Sequence, residues 1–405
     1  MTATTSVRPP RIRSRALGPL VAVFLALGLS LSLSFPFLSL FLTSAVHAGP
    51  IKLTVFLLAQ PLSGVVASTV LGRLSDGRVA RRRLLMVSAV AGCTSATLFS
   101  ILRSYWPLLV LACTVTAVAG ALMPQGFAYA RAMLVNEPTA PMITSTLRMF
   151  FSLSWVAGPL LASVLLTAGG FRTLYLVSAG LYAVVFIVVG RWLLEPPATK
   201  PLSHHENAHL GMPVDSGRRS LWITLAALVL VMGSTSLNVQ ALPLLVRHNL
   251  HAGVGSAGVI LGICAAIEVP AMLGFGVLSK RVSLHRLVLL GPLFGMAYFA
   301  VASVVDQVWQ LGVAQLLNAC YIAVIQGLAI SYVQEFLPTQ PGRASTLYSN
   351  TFPCGAILAS PLLGIGAKFG YRISFIAAIG LAACGLVLLV LGRPAQRGLG
   401  IDTMA

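Results

Sequence analysis

The chain is a succession of long apolar runs separated by short polar or Gly/Pro-rich joints, and such a pattern admits few folds. The runs cover residues 17–42, 53–71, 84–102, 106–130, 142–168, 174–194, 221–246, 257–278, 287–305, 309–336, 345–367 and 374–391. At 1.5 Å per residue each run is long enough for a helix to cross a hydrocarbon layer ~30 Å thick. Only 9% of the 405 residues are charged and the mean hydropathy is +0.90, whereas a soluble domain carries about 25% charged residues. A soluble enzyme is excluded on that ground. The expected fold is an all-α membrane protein with twelve transmembrane helices in two six-helix bundles.

The net charge of +18 takes its meaning from where the basic residues stand. With the N-terminus placed in the cytoplasm, nineteen Lys and Arg fall on the cytoplasmic side, among them Arg8, Arg11, Arg13, Arg15, Arg73, Arg78, Arg81, Arg82 and Arg83. Only Lys52, Arg103, Arg172, Arg247, Lys368 and Arg372 fall outside. This positive-inside asymmetry predicts both termini in the cytoplasm and an even number of spans. The basic residues form no aromatic-interleaved patch, so nucleic acid is not an expected partner. The first run is longer than the 7–15 residues of a signal peptide's apolar region and reads as a retained helix. The expected organisation is a tail over 1–16, a bundle over 17–195, a cytoplasmic linker over 196–219, a second bundle over 220–392 and a tail over 393–405. His204, His205 and His209 belong to that linker and lack the carboxylate or Cys partners of a metal site. Six cysteines in apolar stretches, without a Cys-x-x-Cys pair, read as small core residues. No phosphate-binding Gly-x-x-x-x-Gly-Lys-Ser/Thr loop occurs, so neither direct ATP use nor a cofactor is expected.

The halves repeat one another at an offset near 200 residues. His47-Ala48-Gly49 returns as His251-Ala252-Gly253, Gln125-Gly126-Phe127-Ala128 as Gln326-Gly327-Leu328-Ala329, and Ser145-Thr146-Leu147 as Ser345-Thr346-Leu347. Pro36 and Pro243 interrupt the first helix of each half. Two six-helix repeats of one topology are related by an axis along the membrane normal. That is the arrangement in which one bundle rocks against the other around a site at mid-depth.

The stretch Gly72-Arg73-Leu74-Ser75-Asp76-Gly77-Arg78-Val79-Ala80-Arg81-Arg82-Arg83 resembles the loop signature of the major facilitator superfamily, Gly-x-x-x-Asp-x-x-x-x-Arg-Arg/Lys. It also stands where that signature stands, between the second and third helices. The resemblance implies a conformational latch made of Gly72, Asp76, Arg81 and Arg82. Within the superfamily the chain is similar to the bacterial sugar efflux transporters. The segments that carry the likeness are Met123 to Arg131, Leu147-Arg148 with Ser152 to Pro159, Glu268 to Met272, Gln315 to Ala319, and Pro341 to Ala344 with Asn350. At the proline of helix seven the chain has Ala241-Leu242-Pro243, where the family can carry an acid. The likeness implies proton-driven export of sugars or glycosides across a bacterial cell membrane. Export of drugs or other metabolites by the same fold is the alternative.

Several polar residues stand where apolar ones are expected. Glu268 lies in the middle of helix eight, where an ionised acid costs about 2.5–3.5 kcal/mol to insert. It is the candidate proton carrier, and Arg148 in helix five is its candidate switchable partner. On the same helix Gly258, Gly262, Ala266, Pro270 and Gly274 recur every four residues, a stripe suited to close helix contact. Glu268 lies about 200° around the helix from Ala266, away from that stripe. An uncharged polyol requires hydrogen-bonding groups and an aromatic face. Gln60, Gln125, Tyr129, Trp155, Asn238, Gln240, Gln315, Asn318, Tyr321, Gln326 and Asn350 are the candidates. For any one amide, interhelical packing at about 0.6 kcal/mol per bond explains it equally well. The expected partners are therefore a small-molecule substrate, protons and the lipid bilayer, with no catalytic residues and no metal.

Overall fold

The computed structural model describes residues 17–76, 80–134, 140–195, 215–338 and 340–392. They are helical, with no strand among the described residues. The first half comprises α1 (Leu17–Ser44), α2 (Pro50–Asp76), α3 (Arg81–Ile101), α4 (Tyr105–Met133), α5 (140–169) and α6 (171–192). The second comprises α7 (Asp215–His248), α8 (Val254–Leu278), α9 (Leu284–Val304), α10 (Val308–Phe336), α11 (Pro341–Phe369) and α12 (Arg372–Leu391). The apolar run Met142–Trp192 has 51 residues. At 1.5 Å per residue it would be about 77 Å long if straight, more than twice the hydrocarbon thickness. Gly170, at φ 64° and ψ −159°, breaks it into α5 and α6. Gly tolerates that conformation because it has no Cβ.

Small residues let the helices of each half approach closely, as expected where lipid supplies no hydrophobic drive between helices. Helix α1 lies between α5 and α6. Ser32 Oγ donates to the Ser154 carbonyl at 2.9 Å, and the Ser30 and Ser178 hydroxyls meet at 2.6 Å. In the other half Gly355 of α11 packs on α7, where an added Cβ would stand 2.5 Å from the Gly233 nitrogen. The turns echo the repeat. His47 and His251, each just beyond the first helix of its half, have φ of 53° and 49°, a region that His enters more readily than most residues. Gly170 and Gly370 both have positive φ at the joint before the last helix of each half.

The helix ends at Arg73, Arg81, Arg82, Arg83, Arg191, Lys280, Arg281 and Arg286 define a basic end of the bundle. The halves touch in the part remote from it. There Gly364 of α11 packs on Thr54 of α2, and Gly258 of α8 packs on the Pro159 carbonyl and Ser163 of α5. Ser163 Oγ donates to the Gly255 carbonyl at 2.7 Å, and Gly262 meets Leu160. The small-residue stripe expected along α8 therefore makes close contact only in part. Ala266, Pro270 and Gly274 are exposed, and nothing lies within 4 Å of a Cβ added at Gly274. The physical reason is that a four-residue repeat drifts about 40° per step around the helix, which carries Ala266 and Pro270 to within about 20° of outward-facing Val259.

Gly355→Val should lower the stability of the protein by about 2 kcal/mol, the scale of an overpacked core, whereas Gly274→Val should leave it unchanged. Thermal unfolding in detergent checks both.

Candidate functional site

One face of α5 records the opening between the halves. Pro159 and Ser163 on that face are buried, while Ser152 and Arg148, about two and three turns nearer the basic end than Pro159, are exposed. On α8 the change comes after Gly262, and Val269 is 45% exposed. The result is a cleft sealed at the far end and open at the basic end.

At the sealed part of the cleft lies a pocket of about 180 Å³ between α1, α2, α7 and α11. Phe35, Gln60, Ser236, Gln240, Phe352 and Ser360 are among the lining residues, and none of the described lining residues is charged. The Phe35 ring stands 6.1 Å from Phe352 and 6.3 Å from Trp155, so aromatic faces from both halves meet beside amides from both halves. Of these, Gln60, Gln240 and Trp155 were candidates from sequence. Phe35, Ser236, Phe352 and Ser360 were missed, although Pro36 and Pro353 beside the two phenylalanines mark where helices bend.

Three of the other candidate amides lie together inside the second half. Gln315 is fully buried and Asn318 is 1% exposed. Asn318 Nδ2 donates to Gln315 Oε1 at 2.8 Å and to Cys264 Sγ at 3.3 Å, and Asn238 Nδ2 donates to Asn318 Oδ1 at 3.4 Å. Tyr298 of α9 closes the group. It donates to Asn238 Oδ1 at 3.1 Å and accepts from Gln315 Nε2 at 3.2 Å. Sequence reasoning missed Tyr298, and a hydroxyl in the apolar middle of α9 was its only signal. Tyr321 donates to the Val231 carbonyl at 2.7 Å and lies 2.8 Å from both Ser234 and Thr235 hydroxyls. These side chains tie α7, α8, α9 and α10 together.

The remaining candidates are dispersed. The Tyr129 hydroxyl donates to the Leu194 carbonyl, joining α4 to the end of α6 in the first half. Gln125 is buried in the same half, its Oε1 without a partner among the described residues. Gln326 and Asn350 are exposed on α10 and α11. Both ends of the Gln240 amide reach α1: Nε2 donates to the Phe35 carbonyl at 3.0 Å, and Oε1 accepts from the Ser39 amide at 3.2 Å.

Glu268 stands about 180° around α8 from Val259, whose exposed face continues through Ile263, Leu273 and Val277. It therefore shares the inward face of Cys264, one turn away, and is partly buried. Arg148 lies at the open mouth, its guanidinium 5.5 Å from the Phe127 ring centre, a cation–π distance. No ion pair joins Arg148 and Glu268 in this conformation. Among the described residues the ion pair is Arg372–Asp306 at 2.5 Å, at the far end.

Of the expected latch, Arg82 donates to the carbonyls of Val189, at 3.1 Å, and Gly190. It caps the last turn of α6 within its own half, a favourable place for a cation. Gly72 faces open space and Arg81 is partly exposed. The Asp76 side chain lies outside the described residues, as do Arg78 and the linker histidines.

A family model described as Major Facilitator Superfamily matches residues 20–352 and 224–402. Sugar efflux transporter A of Dickeya chrysanthemi is 31% identical over 391 residues, covering 96% of this chain and 97% of that protein. Sugar efflux transporter B of Salmonella typhimurium is 33% identical over 352 residues, covering 86% and 88%. The crystal structure of the nucleoside transporter NupG superposes with a TM-score of 0.74 over 94% of this chain and 98% of that chain, at 13% identity.

Gln315→Leu takes away the acceptor of Asn318 and a donor to Tyr298, and a buried group left unpaired costs about 1–3 kcal/mol. The substitution should lower the unfolding midpoint in detergent, whereas Asn350→Ala, on an exposed side chain, should not.

Proposed function

The chain belongs to the major facilitator superfamily, and from that premise we propose that it exports uncharged sugars or glycosides in exchange for protons, by alternating access between its two halves. The observation that carries this reading is the pocket at the seam of the halves, where Gln60, Ser236, Gln240 and Ser360 and the rings of Phe35 and Phe352 stand among aliphatic side chains, with no charge among its described lining residues. Neutral amides and hydroxyls match the hydroxyls of a polyol, and aromatic faces match the apolar face of its ring. An export pump for cationic drugs would call for acids there. The names of the two sugar efflux relatives favour the same substrate class.

The positive-inside rule assigns the basic end to the cytoplasm of a bacterial cell. Both termini then lie inside, and the conformation described is open to the cytoplasm, ready to load a substrate for export. Sugar enters through the cleft past Arg148 and settles against Phe35, Phe352 and Trp155, with Gln60 beside it and the Gln240 amide engaged on the α1 backbone behind Phe35. Gln326 and Asn350 line its route, and Gln125 and Tyr129 shape the first half around it. The Gln315–Asn318–Asn238 network and Tyr321 keep the second half rigid as it rocks. Gly72, Asp76, Arg81 and Arg82 act as the cytoplasmic latch when that side shuts.

Glu268 is the proton carrier in this account. It lies on the inward face of α8 with no cation paired to it among the described residues, so its charge is free to change as the halves move. Arg148 is the cation it meets when the cytoplasmic side closes. One charge crossing 100 mV releases about 2.3 kcal/mol, enough for roughly a fifty-fold gradient of a neutral solute.

Inverted membrane vesicles should accumulate a radiolabelled glycoside when a pH gradient, acid inside, is imposed. Glu268→Gln should abolish that accumulation and keep glycoside exchange down its own gradient. Uphill uptake by Glu268→Gln would refute the proton role, and accumulation of a hydrophobic cation in place of the glycoside would refute the substrate class. Phe352→Ala should raise KM about tenfold with little change in unfolding midpoint, the scale of one lost ring contact.

A further inference from the structure

The Gln240 amide does something that no packing amide needs to do. In an unbroken α-helix the Ser39 N–H would donate to the Phe35 carbonyl, four residues before it. Pro36 has no N–H and does not fit a helix interior, and the chain passes through a 3-10 turn at Phe35–Phe37. Within that turn the Phe35 carbonyl accepts from Leu38 N–H. The Gln240 carboxamide then inserts between the two α-helical partners: Nε2 donates to the Phe35 carbonyl at 3.0 Å, and Oε1 accepts from Ser39 N–H at 3.2 Å. A third bond locks the same place, from Ser39 Oγ to the Gln240 carbonyl at 2.6 Å. Gln240 and Ser39 are both buried. The donor and acceptor of a side-chain amide have the polarity of a peptide group, so the side chain of one half completes the backbone of the other.

We propose that Gln240 is a positioning residue, a wedge in the α1 backbone that holds the far side of the cleft shut. The inference rests on the transport reading and adds a gate to it. Two consequences follow from the chemistry. When the halves part at the far side the wedge withdraws, and backbone groups inside a membrane protein require another partner. Ser39 N–H and the Phe35 carbonyl then pair with each other, so α1 exchanges a 3-10 turn for a more regular helix as the gate opens. Because Phe35 and Gln240 also line the pocket, the gate and the substrate site share two residues, and a bound sugar feels whether the wedge is in place.

The test uses the full chain in membrane vesicles of both orientations, with the native cysteines replaced by serine and a membrane-impermeant maleimide as the probe. Ser163→Cys reports the far seam and Ser152→Cys the cytoplasmic mouth. Gln240→Met keeps the side chain's size and removes its hydrogen bonds. It should raise far-side labelling of the Ser163→Cys reporter about tenfold, the worth of the two lost side-chain bonds, and lower labelling at Ser152→Cys. Pro36→Ala, which restores the missing N–H, should shift labelling the same way. The double variant should go no further than either single one, because both release the same contact. Glycoside KM should change less than turnover. Labelling unchanged in Gln240→Met, with KM raised, makes Gln240 a sugar ligand and overturns the wedge. Additive effects of the two substitutions overturn it as well. If the far-side reporter on the otherwise wild-type chain never labels, with or without glycoside, alternating access itself fails.

Discussion

Inside hydrocarbon a backbone N–H or C=O without a partner costs several kcal/mol, and nearly everything in this molecule follows from that. It explains why the spans are helices. It also explains where helices are allowed to break, since any break must be buried in protein and answered by another group. The break at Phe35–Phe37 is answered by Gln240 from the opposite half. The hydroxyls of Thr43 and Ser44 fold back onto carbonyls of the next stretch of α1. Close to the helix ends the same demand is met by cations, as when Arg103 donates to the Phe99 and Ser100 carbonyls.

A protein held to this rule has limited ways to move. Each half is tied internally by buried hydroxyls and glycine contacts, and the second also by the Gln315–Asn318–Asn238–Tyr298 group, ties that a unit moving as one body requires. Between the halves the seals are fewer and lie on the far side: Gln240 on α1, Gly364 on Thr54, and Gly258 on Pro159 and Ser163. Two rigid bodies joined along one side and parted along the other have the geometry of a rocking carrier. The uncharged pocket occupies the line on which they join.

Much of the fold was legible because membrane spans announce themselves by length and apolarity. The joint between α5 and α6 was readable from the glycines at residues 169 and 170, and the echo of His47 in His251 pointed to a repeat that the two positive φ angles share. The site was less legible. An amide in an apolar run shows that a partner is needed but not which one. Tyr129 finds a carbonyl 65 residues on, Gln315 finds a neighbour one turn away, and Gln240 finds a backbone 201 residues back. Likewise the α8 stripe of small residues makes contact only at Gly258 and Gly262, because a repeat of four drifts about 40° per step and leaves the contact face by Ala266. Glu268 lies opposite the outward face of α8, and its spacing from Ala266 said only that it points away from the stripe.

Spin labels at Ser152 and Thr346, across the cytoplasmic mouth, together with a second pair at Lys52 and Lys368 across the far end, measure the rocking directly. Pulsed electron–electron distances should show the mouth wide and the far end close in the resting protein. On adding glycoside with a pH gradient, a second population should emerge with both distances changed in opposite senses. Two distances that stay fixed, or that lengthen and shorten together, would contradict a carrier built of two rigid halves.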